Sequence, residues 1–357
     1  MPSLAVFLGA GASKPLGYPL TREFLPIIMH RLREAILFRE GSADEGGSNR
    51  SLLRDCLERL IPGLEVVDAK KLPLITDLIS LVDYSVSQGA ALWPKQQPDT
   101  LIAVRSLFER ALLEILLKPP EAEAPESRRM GQHLCEWLLK QRTAGINVSL
   151  ISTNYDVAVE GHLYQSFRSG LRRPGGRTPL SEVIDFGTSW LDPGTEELCE
   201  HQRPKDPMLR IFKLHGSLNW LRCACCENIY INEYGSIAHN AYRDTQVPEN
   251  TCDCGHSKLR MHIVAPSLFR EVSDPSLLQI WRAALMGLWQ AEEWLIVGYS
   301  FPPEDIAIRS LFTRAYNVRS TPPIVRVVQH GTEAEDRYRA FFPNCSYEAG
   351  GLEALFV

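Results

Sequence analysis

Three kinds of residue in the sequence can do chemistry, and each sits in a short motif. His215 opens His215-Gly216-Ser217, and Asn154 lies in Thr153-Asn154-Tyr155-Asp156. An imidazole moves protons near neutral pH, and an amide orients water or a hydroxyl without adding charge. Taken singly, each also has a structural reading, His215 as a histidine closing a strand and Asn154 as a turn former. The run Gly9-Ala10-Gly11-Ala12-Ser13 is the third element. Its glycines let backbone N–H groups approach a ligand, and the start of a helix leaves N–H groups unpartnered for a phosphate. Lys14 stands where a dinucleotide fingerprint needs its third glycine, and no Gly-Lys-Ser/Thr follows. The turn is therefore a phosphate cradle of neither the dehydrogenase nor the P-loop kind, or else a tight turn with no ligand.

The cysteines form the other cluster. Five of the nine lie between Cys223 and Cys254. Cys223 and Cys226 have C-x-x-C spacing, Cys252 and Cys254 have C-x-C spacing, and 25 residues separate the pairs. Paired thiols at that separation suit a structural tetrahedral zinc, and an odd, clustered set argues for a reducing compartment over a disulfide framework. Cys225 or His256 could replace one ligand, and a ribbon without metal is the alternative.

These motifs close apolar runs. Leu4–Leu8, Asn147–Ser152, Arg210–Leu214, His262–Ala265, Trp294–Val297 and Ile324–Val328 read as strands. They end in GAGAS, TNYD, HGS, APS, GYSF and QHG. In an open parallel sheet the carboxyl ends of the strands form the ligand rim, so six such endings converge on one edge. Between the first two strands runs a helical block, with helices expected at 52–60, 72–86, 101–117 and 130–139. Residues 41–50, GSADEGGSNR, read as a polar surface loop. Residues 278–293 and 305–315 read as further helices. Arg168, Arg172, Arg173 and Arg177 form a basic loop whose plain reading is a solvated surface. The predicted fold class is α/β: a Rossmann-like parallel sheet with helices on both faces, a large helical insertion and a small cysteine-rich, zinc-ribbon-like module.

Composition sets bounds. A net charge of −5 over 357 residues gives no support for a nucleic-acid-binding surface. No apolar run reaches membrane-spanning length, and the N-terminus lacks the basic region of a secretory signal, so a cytoplasmic location is expected.

The ordered set GAGAS, GYP at 17–19, TNYD, HGS, paired cysteines and GYSF resembles the sirtuin (silent-information-regulator) superfamily from about residue 4 to residue 330. Within it the chain resembles the bacterial sirtuin-like branch of anti-phage defence systems, and ITDLISLVDY resembles subunits that assemble with a HerA-type ATPase. The resemblance implies a NAD-binding sirtuin domain over 1–21 and 143–357, a helical insertion over 22–142, and a cysteine-rich module over 221–261. It implies that Gly9, Ala10, Gly11, Ala12 and Ser13 wrap the diphosphate of NAD, with Thr21 and Ser217 also at the nucleotide. Asn154 would position the ribose and the attacking group, Asp156 would shape the nicotinamide pocket, and His215 would act as general base. Gly298, Tyr299 and Ser300 would contact the phosphates and adenosine ribose. Gln329 stands where the family carries an asparagine near the adenosine, a departure at that contact. Cys223, Cys226, Cys252 and Cys254 would hold structural zinc.

Two further departures bear on the acceptor. Deacylases carry glutamine before the asparagine, where this chain has Thr153. They follow the zinc module with Phe-Gly-Glu, where this chain has Ala265-Pro266-Ser267, and proline removes a backbone donor from a peptide-pairing edge. Both favour hydrolysis of NAD+ to nicotinamide and ADP-ribose over deacylation; the resemblance implies a defence effector, and a homo-oligomer is expected. The competing readings are an NAD-dependent protein deacylase and a non-catalytic NAD or ADP-ribose sensor.

Overall fold

The computed structural model describes residues 2–39, 43–64, 71–117, 119, 121–122, 124–170, 172–173, 176–177, 180–191, 200–231, 252–255, 259–268 and 274–356. Its strands are β1 (Ser3–Leu8), β2 (Asn147–Ser152), β3 (Arg172–Arg173), β4 (Gly176–Arg177), β5 (Ile184–Asp185), β6 (Trp190–Leu191) and β7 (Glu200–His201). They continue with β8 (Leu209–Lys213), β9 (Gly216–Cys223), β10 (Ile229–Ile231), β11 (Leu259–Ile263), β12 (Glu293–Val297), β13 (Ile324–Val328) and β14 (Ser346–Glu348). The helices are α1 (Ala10–Ser13), α2 (Phe24–Arg33), α3 (Ala43–Leu60), α4 (Ile75–Gln88), α5 (Pro98–Leu117) and α6 (Pro125–Thr143). After them come α7 (Ala158–Gly170), α8 (Leu180–Val183), α9 (Pro275–Gln290), α10 (Ile306–Asn317) and α11 (Glu335–Phe341).

Seven strands form one sheet in the order β14-β13-β12-β1-β2-β8-β5, and every neighbouring pair is parallel. The apolar run Leu4–Leu8 belongs at its centre because residues of both parities are buried there, as they are along Val148–Ser152. Cover on both faces follows: α9 packs across β1, β2 and β8, and α6 packs on β2. Asp274 caps α9 by accepting the Leu277 N–H at 2.9 Å, with Pro275 in the first turn.

A second, five-stranded sheet has the order β11-β9-β10-β6-β7. It corrects one expectation: the strand before Ala265-Pro266-Ser267 is β11, which pairs antiparallel with β9 and lies outside the parallel sheet. Five of the six motif endings therefore follow strands of the parallel sheet; the sixth reaches the same rim from the second sheet. Residues 24–116 bury a core of their own, including Ile28, Val104 and Phe108, which also takes in Leu218 of β9. Helices α3, α5 and α6 are longer than expected, and α4 starts at Ile75 and runs on to Gln88. The supposed polar loop at 41–50 is another correction, because α3 begins at Ala43. Gly46 explains the misreading: a Cβ there would lie 2.4 Å from the Phe38 carbonyl oxygen, so the glycine serves close packing and does not mark a turn.

Candidate active site

The rim of the parallel sheet opens into a cleft of about 970 Å³. Ala10, Gly11, Ser13, Thr21, Asn154, Asp156 and His215 line it from one side, and Gly298, Tyr299, Ser300 and Gln329 from another. Gly9, Ala12 and Ser217 do not line it. Ser217 is fully buried and its hydroxyl donates to the Tyr155 carbonyl. Gly9 and Ala12 are backbone supports.

The glycines hold the rim together. Gly9 N–H donates to Val297 O at 3.0 Å and Gly11 N–H to Gly298 O at 2.8 Å. Gly298 has φ +62, and a Cβ there would sit 2.0 Å from the Ala12 nitrogen. The β1 and β12 turns thus interlock backbone against backbone, which only glycine permits.

Asn154 is fixed by two donations from Nδ2, to Gly9 O and to Ser13 Oγ, both 2.8 Å. Ser13 Oγ donates onward to Asp156 Oδ2 at 2.7 Å, while Asp156 Oδ1 accepts from Ala158 N–H at 3.2 Å. With both amide hydrogens committed, the chemistry left to Asn154 is that of its Oδ1, an acceptor. The Asp156 carboxylate orders the turn through Ser13 and opens α7.

His215 follows β8, and its Nδ1 lies 3.1 Å from Thr153 O. A carbonyl only accepts, so Nδ1 carries the hydrogen and Nε2 of the neutral ring carries the lone pair. Tyr155 OH donates to Val264 O at 2.6 Å, and Trp281 Nε1 donates to Leu214 O at 2.8 Å, bracing the residues on either side of His215.

Two supports escaped the sequence reading. Lys213, at the end of β8, makes a buried ion pair with Glu160 of α7 at 3.1 Å and donates to the Asp156 carbonyl. A lysine inside the apolar run Arg-Ile-Phe-Lys-Leu was the available signal. Tyr18 lines the cleft, and burial, then the charges of Asp156 and Glu160, push its hydroxyl well above the usual range, so it stays protonated. Gln329 serves the rim through its side chain: Nε2 donates to Tyr299 O at 2.6 Å, and Tyr299 OH donates to Asp305 Oδ2 at 2.8 Å.

The four cysteine sulfurs of Cys223, Cys226, Cys252 and Cys254 lie within 4.8 Å of one another. Cys223–Cys254 and Cys226–Cys252 are 3.6 and 3.4 Å apart. A tetrahedral zinc with sulfurs at about 2.3 Å has sulfur–sulfur edges of about 3.8 Å, so this donor set fits zinc. The Cys225 and Cys226 N–H groups donate to Cys223 Sγ at 3.3 and 3.5 Å, which suits a thiolate. Cys225 enters through its backbone, and its exposed thiol lies outside the set. His256 and the side chains of the basic loop at 168–177 lie outside the described residues. Among the described residues no helix is long and apolar enough to cross a membrane.

No protein-family model matches the sequence, and no curated protein matches it. Among solved structures the chain is similar to a Sir2 enzyme at 15% identity and a TM-score of 0.43, over 99% of this chain and 89% of that one. It is similar to a Sir2 with a p53 peptide and NAD+ at 13% identity and a TM-score of 0.43, over 99% and 90%. It is also similar to Sir2Tm bound to a propionylated peptide, at 12% identity and a TM-score of 0.42, over 99% and 90%.

Proposed function

We propose that the chain is a sirtuin-type NAD+ hydrolase that releases nicotinamide and ADP-ribose. The observation that carries the reading is the meeting, in one cleft, of Asn154, His215 and the Gly9–Ser13 turn, three elements that follow different strands of one parallel sheet. In this reading the Gly9–Ser13 turn and the Gly298–Ser300 turn hold the diphosphate side of the dinucleotide, with Thr21 and Gln329 at its margin. Asn154 Oδ1 accepts a hydrogen from the attacking water or a ribose hydroxyl. The bond between ribose and nicotinamide breaks with its electron pair going to nicotinamide, which leaves neutral. Water oxygen bonds to the ribose carbon, and its proton passes to His215 Nε2.

Water is preferred to an acyl-lysine acceptor for a backbone reason. Pro266 offers no donor, and Leu268 N–H is taken by Ser80 Oγ at 2.8 Å, so the segment that borders the cleft has little to pair with a peptide. NAD+ incubated with the full-length protein should yield nicotinamide by chromatography. Asn154→Ala and His215→Ala should lose this while remaining folded, and an acetyl-lysine peptide should not accelerate it. Wild-type rates in both variants would overturn the assignment; peptide-dependent acceleration would turn it toward a deacylase.

The helical block 22–142, set within the NAD-binding unit 1–21 and 143–357, carries contacts between copies of the chain or with a HerA-type ATPase in a phage-responsive assembly. Its exposed Leu81 and Ile102 support this. Light scattering of Leu81→Ser/Ile102→Ser beside wild type tests it, and an identical mass for both would count against contacts between copies.

A further inference from the structure

A second cavity, about 470 Å³, lies between α9 and the face of β2 and β8, and among the described residues it shares no lining residue with the cleft. It sits toward the opposite end of β8: Arg210 precedes His215 by five residues, or roughly 16 Å of strand. Among the described residues its lining contains Arg203, Arg210 and Arg282 and no carboxylate.

The arginines differ in how they are held. Arg203 is gripped by Asp185, which accepts from its Nε and Nη2, each at 2.8 Å. This leaves the Arg203 fork pre-oriented with donors to spare. The Arg210 and Arg282 guanidinium groups have no hydrogen-bond or ion-pair partner among the described residues. Gly287 shapes the floor: a Cβ there would meet Ser149 at 3.1 Å, so the helix lies close to the sheet. Gln279 and Gln290, one at each end of α9, add neutral amides at the mouth.

Planar guanidinium forks suit phosphate oxygens, and two cations with no partner among the described residues, lining a concave space, suit an anion. The concavity favours a small molecule over the convex backbone of a duplex. We propose that this cavity binds a phosphate-bearing small molecule of nucleotide size through Arg203, Arg210 and Arg282. The inference stands apart from the hydrolase reading, since it uses none of the cleft residues.

The test uses the full-length protein, ADP and inorganic pyrophosphate at low salt. ADP is also half of the dinucleotide assigned to the cleft, so calorimetric titration of wild type with ADP should show two binding events, one kept in every variant and one that weakens roughly tenfold or more in Arg282→Gln and further in Arg210→Gln/Arg282→Gln. Photo-crosslinking with 8-azido-ADP should label the 275–290 segment in wild type and not in the double variant. Arg282 is exposed, so the single variant decides the matter if the double variant does not fold. Two events that are both unchanged in Arg282→Gln, or a single event that no variant alters, would overturn the site. Displacement of pyrophosphate by single-stranded oligonucleotide more readily than by ADP would overturn the small-molecule class. Nicotinamide release is measured separately, so failure of one reading leaves the other standing.

Discussion

Replacing Asn154 by aspartate changes one atom type and reverses the hydrogen bonding it can do. Asn154 Nδ2 now donates to Gly9 O and Ser13 Oγ, both at 2.8 Å. An ionised carboxylate only accepts, so both donations are lost and a negative charge faces the Gly9 carbonyl. Two net hydrogen bonds of about 1 kcal/mol each, plus about 1–3 kcal/mol for a part-buried carboxylate set against the Gly9 carbonyl, give a destabilisation of about 3–5 kcal/mol near neutral pH. With an unfolding entropy of about 2.1 cal/mol/K per residue, that is a Tm lower by about 4–7 °C. The sign with pH follows from linkage. The crowded carboxyl must have a folded-state pKa above its unfolded value of about 3.9. The folded variant then binds more protons than the unfolded one between those two values, so its stability falls as pH rises through that window. Below about pH 4 the neutral carboxyl can donate to Gly9 O, and the Tm gap from wild type should narrow. Asn154→Ala removes the same donors without adding charge, so its gap should stay level with pH. Scanning calorimetry of the three proteins from acid to neutral pH checks this. A gap for Asn154→Asp as flat as that for Asn154→Ala would refute the hydrogen-bond chain from Gly9 through Ser13 to Asp156.

Lys213→Met strands the Glu160 carboxylate in a buried site and should cost about 3–5 kcal/mol, while Lys213→Met/Glu160→Leu should recover most of it; denaturant melts that show no recovery would refute the pairing. Gly298→Ala should destabilise by about 3 kcal/mol or more, since its Cβ meets the Ala12 backbone at 2.0 Å, and a melt unchanged from wild type would show that the turns are not interlocked. Chelation should release one zinc per chain from the Cys223, Cys226, Cys252 and Cys254 set and lower the Tm; metal analysis that is unchanged in Cys226→Ser/Cys252→Ser would place the metal elsewhere.

What the sequence made legible was what local pattern controls. β1 and β12 are buried on both faces and read as apolar runs, and β2 and β13 keep that trace although Ser149 and Arg326 interrupt it. β5 and β14, two and three residues long, sit at the two edges of the sheet and leave no such trace. The run before Ala265 looks like the others, yet which sheet it joins depends on pairing with β9 some forty residues earlier, which no window reveals. The site divides in the same way. Asn154 and His215 could be singled out from their motifs. The hydrogen bonds that fix Asn154 span about 140 residues of chain, and the Lys213–Glu160 pair joins a strand to a helix across the core.

The glycine turn shows how one residue choice can answer two demands. Gly9, Gly11 and Gly298 are each required by contacts within the protein, since a Cβ on any of them would press into backbone at 2.0–2.9 Å. Gly11 N–H, the kind of donor a phosphate cradle would offer, is already given to Gly298 O. The glycines by themselves therefore say only that two strand ends must meet closely. In the hydrolase reading the functional weight falls on the polar chain laid over them. Gly9 O and Ser13 Oγ take the two Asn154 hydrogens, and this turns Asn154 into a pure acceptor at the rim where His215 stands. A turn built only to pack would have no use for Ser13 bridging Asn154 and Asp156. Ser13→Ala should therefore leave the interlock of the glycines intact and impair activity through a misdirected Asn154, separating the packing role of the turn from its chemical one.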